Sequence, residues 1–319
     1  MLFNLSGESR ERHSTVCAVM VTYFPDPKTL QVVLHSIALQ VDAVVIVDNT
    51  PRTDAIDLTA LTAGLKVPTS KTILLGENQG IAAAQNAGIA WAQSHSAKYV
   101  LLLDQDSVPE TNMVRRLIEV ANTLLVEGIS LAAIGPRYVD PRTGHSSSAL
   151  QVGTISMRQV QCSKKLPDEI ISCDMLISSG SLIMLEVVKK IGDFDTSLFI
   201  DHVDNEWFLR ARHHGYSVYV ACGITLTHRL GTEIIRYWLG HWRTFPAHPP
   251  IRHYYMLRNT LLLARRPHVP LAWLLGAFSG LLPILAASLL LLPNRGERLS
   301  LLFRAIYDGL RNRGGAYDT

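Results

Sequence analysis

The feature that most limits how this chain can fold is the run "YVLLLDQDSVP" from Tyr99 to Pro109, where an unbroken apolar stretch ends in two aspartates one residue apart. A strand without polar alternation is buried on both faces, as inside a parallel sheet, so Asp104 and Asp106 are expected to emerge together at its carboxyl end. Open α/β sheets bind ligands at that edge. Neighbouring carboxylates repel unless a cation or hydrogen-bond donors compensate, which points to a hard metal ion with an anionic ligand beyond it. A strand-ending turn explains the same residues without a metal, because Asp, Ser and Pro all favour turns.

The segments around this run repeat its logic. "VCAVMVTYF" reads as a buried first strand, and Pro25 and Pro27 break the chain before an apolar helical period from Leu30 to Leu39. "AVVIVDNTP", a poorly regular stretch, a short "TILL" strand and the Ala-rich helix "ENQGIAAAQNAGIAWAQ" follow, and then the opening strand. Alternating strand and helix predict an α/β fold with a doubly wound, mostly parallel sheet. Asp48 and Asn49 end the second strand at the same edge. Asn78, Gln79 and Gly80 precede a helix whose N-terminus is expected to face phosphate or a nucleoside. Neither GxGxxG nor GxxxxGK[ST] occurs, so phosphates here would depend on the metal.

Beyond residue 128 the regularity weakens. "LISSGSLIM" (Leu176 to Met184) places a small-residue bend in an apolar run, and "VDNEWFLRARHHG" reads as a helix with Val203, Trp207, Phe208 and Ala211 on one stripe and Gly215 as its stop. Asp204 falls in the first turn. There the helix dipole is expected to favour its ionised form, as a proton acceptor at neutral pH requires, although helix capping also accounts for it. Glu206 and Arg210 are spaced to pair along the helix, a structural role worth about 0.2 to 0.5 kcal/mol.

Composition excludes some partners. Over 319 residues the formal net charge is only +3, too little for a nucleic-acid footprint. Cys17, Cys162, Cys173 and Cys222 show neither CxxC spacing nor disulfide density, so reduced thiols are expected. The N-terminus shows no apolar core of a secretory signal, so the catalytic part is expected on the cytoplasmic side. Near the other end, Leu271 to Pro293 carries no charge and is long enough to cross a bilayer. Gly276, Gly280 and Pro283 interrupt it, and arginines flank both ends, so a re-entrant or surface-lying helical pair is expected. From Glu297 to Arg313, Leu299, Leu302, Phe303, Ile306 and Leu310 share a face with arginines interleaved, suited to a membrane surface or to packing on the catalytic domain.

In order, "VTYFPD", "VDNTP", "ENQGIAAAQNAG", "LLLDQDS", "LISSGSLI", "LFIDHVDNEWFLRAR" and "THRLGT" resemble the inverting family 2 glycosyltransferases of GT-A fold. The wording is most similar to the bacterial rhamnosyltransferases that use dTDP-L-rhamnose. The resemblance spans about Val16 to Arg266. It departs at Val203, where many members carry Glu before the Asp matching Asp204.

The resemblance implies a GT-A catalytic domain over 1–235, with a nucleotide-sugar half (about 16–128) and an acceptor half (about 129–235). Residues 236–319 would then form a helical, membrane-associated region. It implies that Thr22, Tyr23 and Asp48 surround the nucleoside, that Asn78, Gly80 and Asn86 complete that pocket, and that Asp104 and Asp106 form the DxD motif. Asp104 would face the nucleoside and Asp106 would hold Mg²⁺ or Mn²⁺, with His228 as an added ligand. Ser178, Ser179 and Gly180 match the loop near donor sugar and acceptor, and Asp204 matches the catalytic base.

The function implied is rhamnosyl transfer to a membrane-embedded, amphiphilic saccharide, either a lipid-linked O-antigen or core intermediate or a rhamnolipid. The expected site of action is the cytoplasmic face of the inner membrane, with no nucleic-acid partner. Another nucleotide sugar is the alternative donor. "DQDSV" also fits an aspartyl-phosphate phosphotransferase, although that pattern belongs on a first strand, and a non-catalytic membrane adaptor is the remaining alternative.

Overall fold

The computed structural model describes residues 15–317 apart from 142, 143, 145, 164, 165, 167, 229–232 and 239–241, and for 233–238 and 242–247 it describes the backbone alone. Strand and helix alternate through β1 (Val16–Thr22), α1 (Pro27–Ala38), β2 (Ala43–Pro51), α2 (Thr59–Ala63), β3 (Thr69–Gly76), α3 (Gly80–Ser94) and β4 (Tyr99–Asp104). The order then loosens into β5 (Val108–Pro109), α4 (Met113–Val126), β6 (Leu131–Val139), the hairpin β7 (Ser148–Val152) and β8 (Met157–Gln161), and β9 (Ile170–Cys173). Next come β10 (Leu182–Met184), α5 (Leu185–Ile191), α6 (Val203–His213) and β11 (Ser217–Thr227). A second hairpin, β12 (Glu233–Trp238) with β13 (Trp242–Ala247), leads to α7 (Pro250–Leu263), α8 (Leu271–Leu291) and α9 (Arg295–Leu310).

The main sheet runs β3-β2-β1-β4-β10-β6-β11-β5, with β9 also on β11. β1 is parallel to both β2 and β4, and β2 to β3, as the uninterrupted apolar strands require. Register decides what shares the carboxyl edge: Thr22 lies opposite Asp48, and Val21 opposite Asp104. Short β10 is antiparallel to β4 and β6, and extends the sheet into the second half.

Helices cover this sheet for reasons visible in their residues. α1 begins where Asp26 accepts from Thr29 N (2.9 Å) with Pro27 in the first turn, and buries Leu30, Val33, Leu34 and Ile37. α3 lies close on β1 because it is built from small residues; a Cβ at Gly88 would stand 2.3 Å from Val19 Cγ1.

Three departures of the fold from the sequence reading concern β6, the cysteines and α8. β6 was not evident, because Gly135 and Pro136 interrupt its apolar residues. Pro136 is tolerated because β11 changes register immediately after Ala221, its partner. The irregular stretch of β11 carries Cys222, which forms a disulfide with Cys162 (Cα–Cα 5.6 Å), against the expectation of four reduced thiols. The pairing joins residues 60 apart, so no local spacing announces it. Cys17 and Cys173 are free, buried thiols whose pKa burial pushes up to about 12.

The third departure is α8, which is continuous rather than interrupted: the helix runs through Gly276, Gly280 and Pro283. By length and composition it is apolar enough to cross a membrane, with a mean hydropathy of 2.2 and only 17% of its most apolar window buried. The arginine-flanked face of α9 also stays open, with Leu299, Phe303, Ile306 and Leu310 all exposed, while Leu301 and Ala305 turn inward towards the α7 residues Tyr254, Tyr255 and Leu257.

The α3–β1 contact gives a direct test of the packing. Gly88→Ala should destabilise the protein by about 1–3 kcal/mol through overpacking, and Val19→Ala in the same chain should recover part of that loss. Thermal melting of the single and double variants checks it.

Candidate active site

At the carboxyl edge, Asp48 is buried and its Oδ1 accepts from Thr22 Oγ1 (2.9 Å) and Thr50 Oγ1 (2.7 Å). Its Oδ2 is buried without a partner, a state that favours any ligand bringing an N–H or O–H to it. Tyr23 beside it is exposed, and its backbone is held by Gln105, which accepts from Tyr23 N (2.8 Å) and donates to Tyr23 O (3.2 Å). Thr50 and Gln105 were not singled out in the sequence, since a threonine or glutamine at a strand end carries no signal of its own.

The start of α3 is not the open anion site expected of it. Gln79 N donates to Asn49 Oδ1 (2.8 Å), Gly80 N to Asn78 Oδ1 (3.0 Å) and Ile81 N to Phe199 O (2.7 Å), so these first donors are already used. Asn78 also accepts from Asn49 Nδ2 (2.9 Å) and so shapes the loop. Gly80, at φ +85°, is a packing residue, because a Cβ there would come 2.5 Å from Phe199 O. Asn86 is likewise taken up by protein: it donates to Phe194 O (2.8 Å) and accepts from Phe194 N (3.0 Å).

Asp104 and Asp106 are brought against a residue more than a hundred positions away. β5 pairs with the end of β11, Val108 opposite Thr227, and this lays the aspartate turn beside His228. His228 Nε2 is 4.0 Å from Asp104 Oδ2 and Nδ1 is 3.9 Å from Asp106 Oδ1. The three side chains offer ligand atoms within 4.8 Å of one another.

Ser179 accepts from Asp104 N (3.1 Å) and donates to Ser107 Oγ (2.7 Å), which lies 2.7 Å from His228 Nδ1. With Nδ1–H donating to Ser107, Nε2 is left as the ligating atom, the arrangement usual for metal-bound histidine. Two carboxylates and an imidazole, all partly open to solvent, fit a divalent cation such as Mg²⁺ or Mn²⁺ that keeps positions for other ligands. The protein around Asp104 pushes its carboxyl pKa up; His228 opposes the shift and Asp106 adds to it. Since two fifths of that side chain is accessible, the push is partly screened.

Asp204 enters this edge from α6. Oδ1 accepts from Asn205 N (2.8 Å) and Oδ2 from Ser178 N (3.3 Å), across the loop whose Gly180 N donates to Leu102 O (2.7 Å). The dipole expected to favour the ionised form does not prevail. Burial raises the pKa of Asp204 to about 6 against those two hydrogen bonds, with Asp201 and Asp104 adding to the rise. At that value it remains mostly ionised at neutral pH and is more basic than an ordinary carboxylate.

The preceding loop is strained, with Phe199, Asp201 and His202 at φ of +62°, +66° and +63°. Asn259 of α7 clamps it, donating to the carbonyls of Leu198 (2.8 Å), Ile200 (2.7 Å) and Asp201 (3.0 Å). Glu206 pairs with Arg210 along the helix as its spacing predicts, and its carboxylate is buried. It takes Arg210 through both oxygens (3.0 and 2.9 Å), with His268 Nε2 2.9 Å away. Burial raises its pKa, but His268 and Arg210 outweigh this and the net shift is downward. Neutralising Glu206 would therefore leave Arg210 and His268 without their buried partner and disturb the fold.

A model of the family described as "Glycosyl transferase family 2" matches residues 17–192. The chain is 29% identical over 310 residues to dTDP-rhamnosyl transferase RfbF of Shigella flexneri, covering 96% of this chain and 99% of that one. Among solved structures it is similar to GalNAc-T7 with UDP, GalNAc and Mn²⁺ (TM-score 0.55, 14% identity, 85% of this chain and 55% of that one). It is also similar to S. aureus TarS (TM-score 0.55, 12% identity, 93% of this chain and 49% of that one). The chain thus spans about half the length of these two proteins. TarS 1–349 with UDP-GlcNAc aligns over 93% of this chain and 81% of its own at a TM-score of 0.53 and 14% identity. These likenesses identify the fold as GT-A.

A carboxyl whose pKa is raised on folding opposes folding when ionised. For Asp204 the penalty begins as pH rises through its unfolded value near 3.8 and is complete above about 6. Asp204→Asn should therefore raise the melting temperature at pH 7.5 and leave it nearly unchanged at pH 4. An unchanged or lowered value at pH 7.5 would contradict the burial argument.

Proposed function

The chain belongs to glycosyl transferase family 2, and we propose that within it this enzyme moves L-rhamnose from dTDP-L-rhamnose to a hydroxyl of an amphiphilic saccharide at the cytoplasmic membrane surface. The observation that carries the donor is the likeness to dTDP-rhamnosyl transferase RfbF along almost the whole of both chains. The unpartnered Oδ2 of Asp48 is consistent with it, since a thymine imide N–H is a donor of the kind that oxygen lacks.

Asp104, Asp106 and His228 would hold the divalent cation. Bound there, it supplies positive charge to the diphosphate and to the leaving nucleotide. Asp204 takes the proton of the attacking hydroxyl. As the acceptor oxygen bonds to the anomeric carbon from the face opposite the nucleotide, the bond from that carbon to the phosphate oxygen breaks and dTDP leaves with the electron pair, so the configuration inverts. Ser178 orients the base through its backbone N–H, and Ser107 and Ser179 connect the histidine to the aspartate strand. A membrane location is supported by the exposed leucines of α8, Leu275, Leu282 and Leu290 among them, and by Phe303 and Leu310 on α9.

The decisive measurement separates metal binding from proton transfer. Asp106→Ala should abolish transfer together with metal-dependent dTDP binding by calorimetry. Asp204→Asn should lower transfer by about 10²–10⁴-fold while dTDP binding stays near the wild-type level. Full activity in excess chelator would remove the metal from the reading. For the membrane, the intact protein should float with vesicles containing anionic lipid. The double substitution Leu282→Gln and Phe303→Glu should leave it in the soluble fraction; flotation unchanged by these substitutions would refute that part.

A further inference from the structure

Beside Asp204 lies a cavity of about 330 Å³ between β6, the β7–β8 hairpin, the 175–181 loop and the start of α6. Tyr138, Ser147, Ser148, Gln159 and Asn205 give it hydroxyl and amide walls, and Leu150, Leu176 and Val220 give it an apolar side. Among the described residues that line it, Asp204 is the one that carries a charge.

We infer that this cavity is the acceptor-sugar site and that it selects an uncharged sugar residue, with Gln159 of the hairpin as a specificity-determining contact. The inference rests on the glycosyltransferase reading above and says which acceptor chemistry the enzyme takes. Groups that both donate and accept hydrogen bonds, facing an apolar wall, match a pyranose with hydroxyls on its rim and C–H bonds on its face. An acidic sugar would meet Asp204, with Asp104 and Asp106 nearby, and find no lysine or arginine among the described lining residues to offset its charge.

The volume, near the lower end for ligand sites, suits a single ring. The carboxylate of Asp204 uses one lone pair for each of its two backbone contacts, which leaves acceptor capacity for a sugar hydroxyl. The wall also touches the apolar helix: Trp273 Nε1 on α8 lies 3.0 Å from Met175 Sδ, and Met157, at the start of β8, closes over Gly276. A sugar held here therefore sits next to the surface suited to carry its lipid.

The test uses the full-length protein, dTDP-rhamnose and Mn²⁺ with four octyl glycosides: the uncharged glucoside, rhamnoside and N-acetylglucosaminide, and the anionic glucuronide. At least one neutral glycoside should be rhamnosylated and the glucuronide should not. Gln159→Ala, at an exposed position, should raise KM for the accepted glycoside about tenfold while the Kd for dTDP-rhamnose stays within twofold. Gln159→Lys should bring the glucuronide into use. Equal transfer to the glucuronide by the wild type, an acceptor KM indifferent to both substitutions, or donor hydrolysis with transfer to no glycoside would overturn the inference. Failure even to hydrolyse dTDP-rhamnose would instead overturn the transferase reading beneath it.

Discussion

Holding several carboxylates together at one edge of a sheet is the constraint from which the rest of this architecture follows. Asp104 and Asp106 leave β4 almost side by side, and Asp204 approaches from α6 closely enough that the charge of Asp104 raises its pKa. Such groups separate if the backbone allows it. Here it does not: β4 is buried between β1 and β10, β5 ties the aspartate turn to β11, and the α6 start is fixed through Ser178. The repulsion is thus retained in the folded chain.

How much of this was readable depended on distance along the chain. β1, β2 and β4 announce themselves by unbroken apolar runs, Asp48 and Asp104 by being the first polar residues after two of them, and Asp106 by following Asp104 two positions on. Asp204 was visible from the helix stripe of Val203, Trp207 and Phe208. What escaped notice is long-range. The Ser107–His228 contact spans 121 positions, the disulfide spans 60 and the Asn259 clamp reaches back 58 to 61. A serine or asparagine looks the same in sequence whether it faces solvent or holds a strained loop. The start of α3 is a case of the same kind: its donors are taken up by Asn49 and Phe199, whose arrival no local pattern predicts.

The C-terminal helices combine two surfaces that usually belong to different parts of a protein. α8 buries Ala272 and Trp273 in the same apolar core as the sheet and leaves most of its leucines exposed. α7 is the more deeply integrated of the two: Arg258 is buried and donates to the carbonyls of Leu198 (3.1 Å) and Gly315 (2.7 Å), linking the loop before Asp204 to the C-terminal tail.

That integration bears on modularity. Were the apolar tail an independent anchor, shuffling between genes could exchange it freely and leave a working catalytic half behind. The clamp of Asn259 on the carbonyls of Leu198, Ile200 and Asp201 ties α7 to the sheet domain, because a chain ending before Pro250 keeps Asp48, Asp104, Asp106, Asp204 and His228 and loses what holds the loop before Asp204 in place. α7 is therefore structurally inseparable from the strained loop that leads into Asp204, whatever α8 and α9 do at their exposed faces.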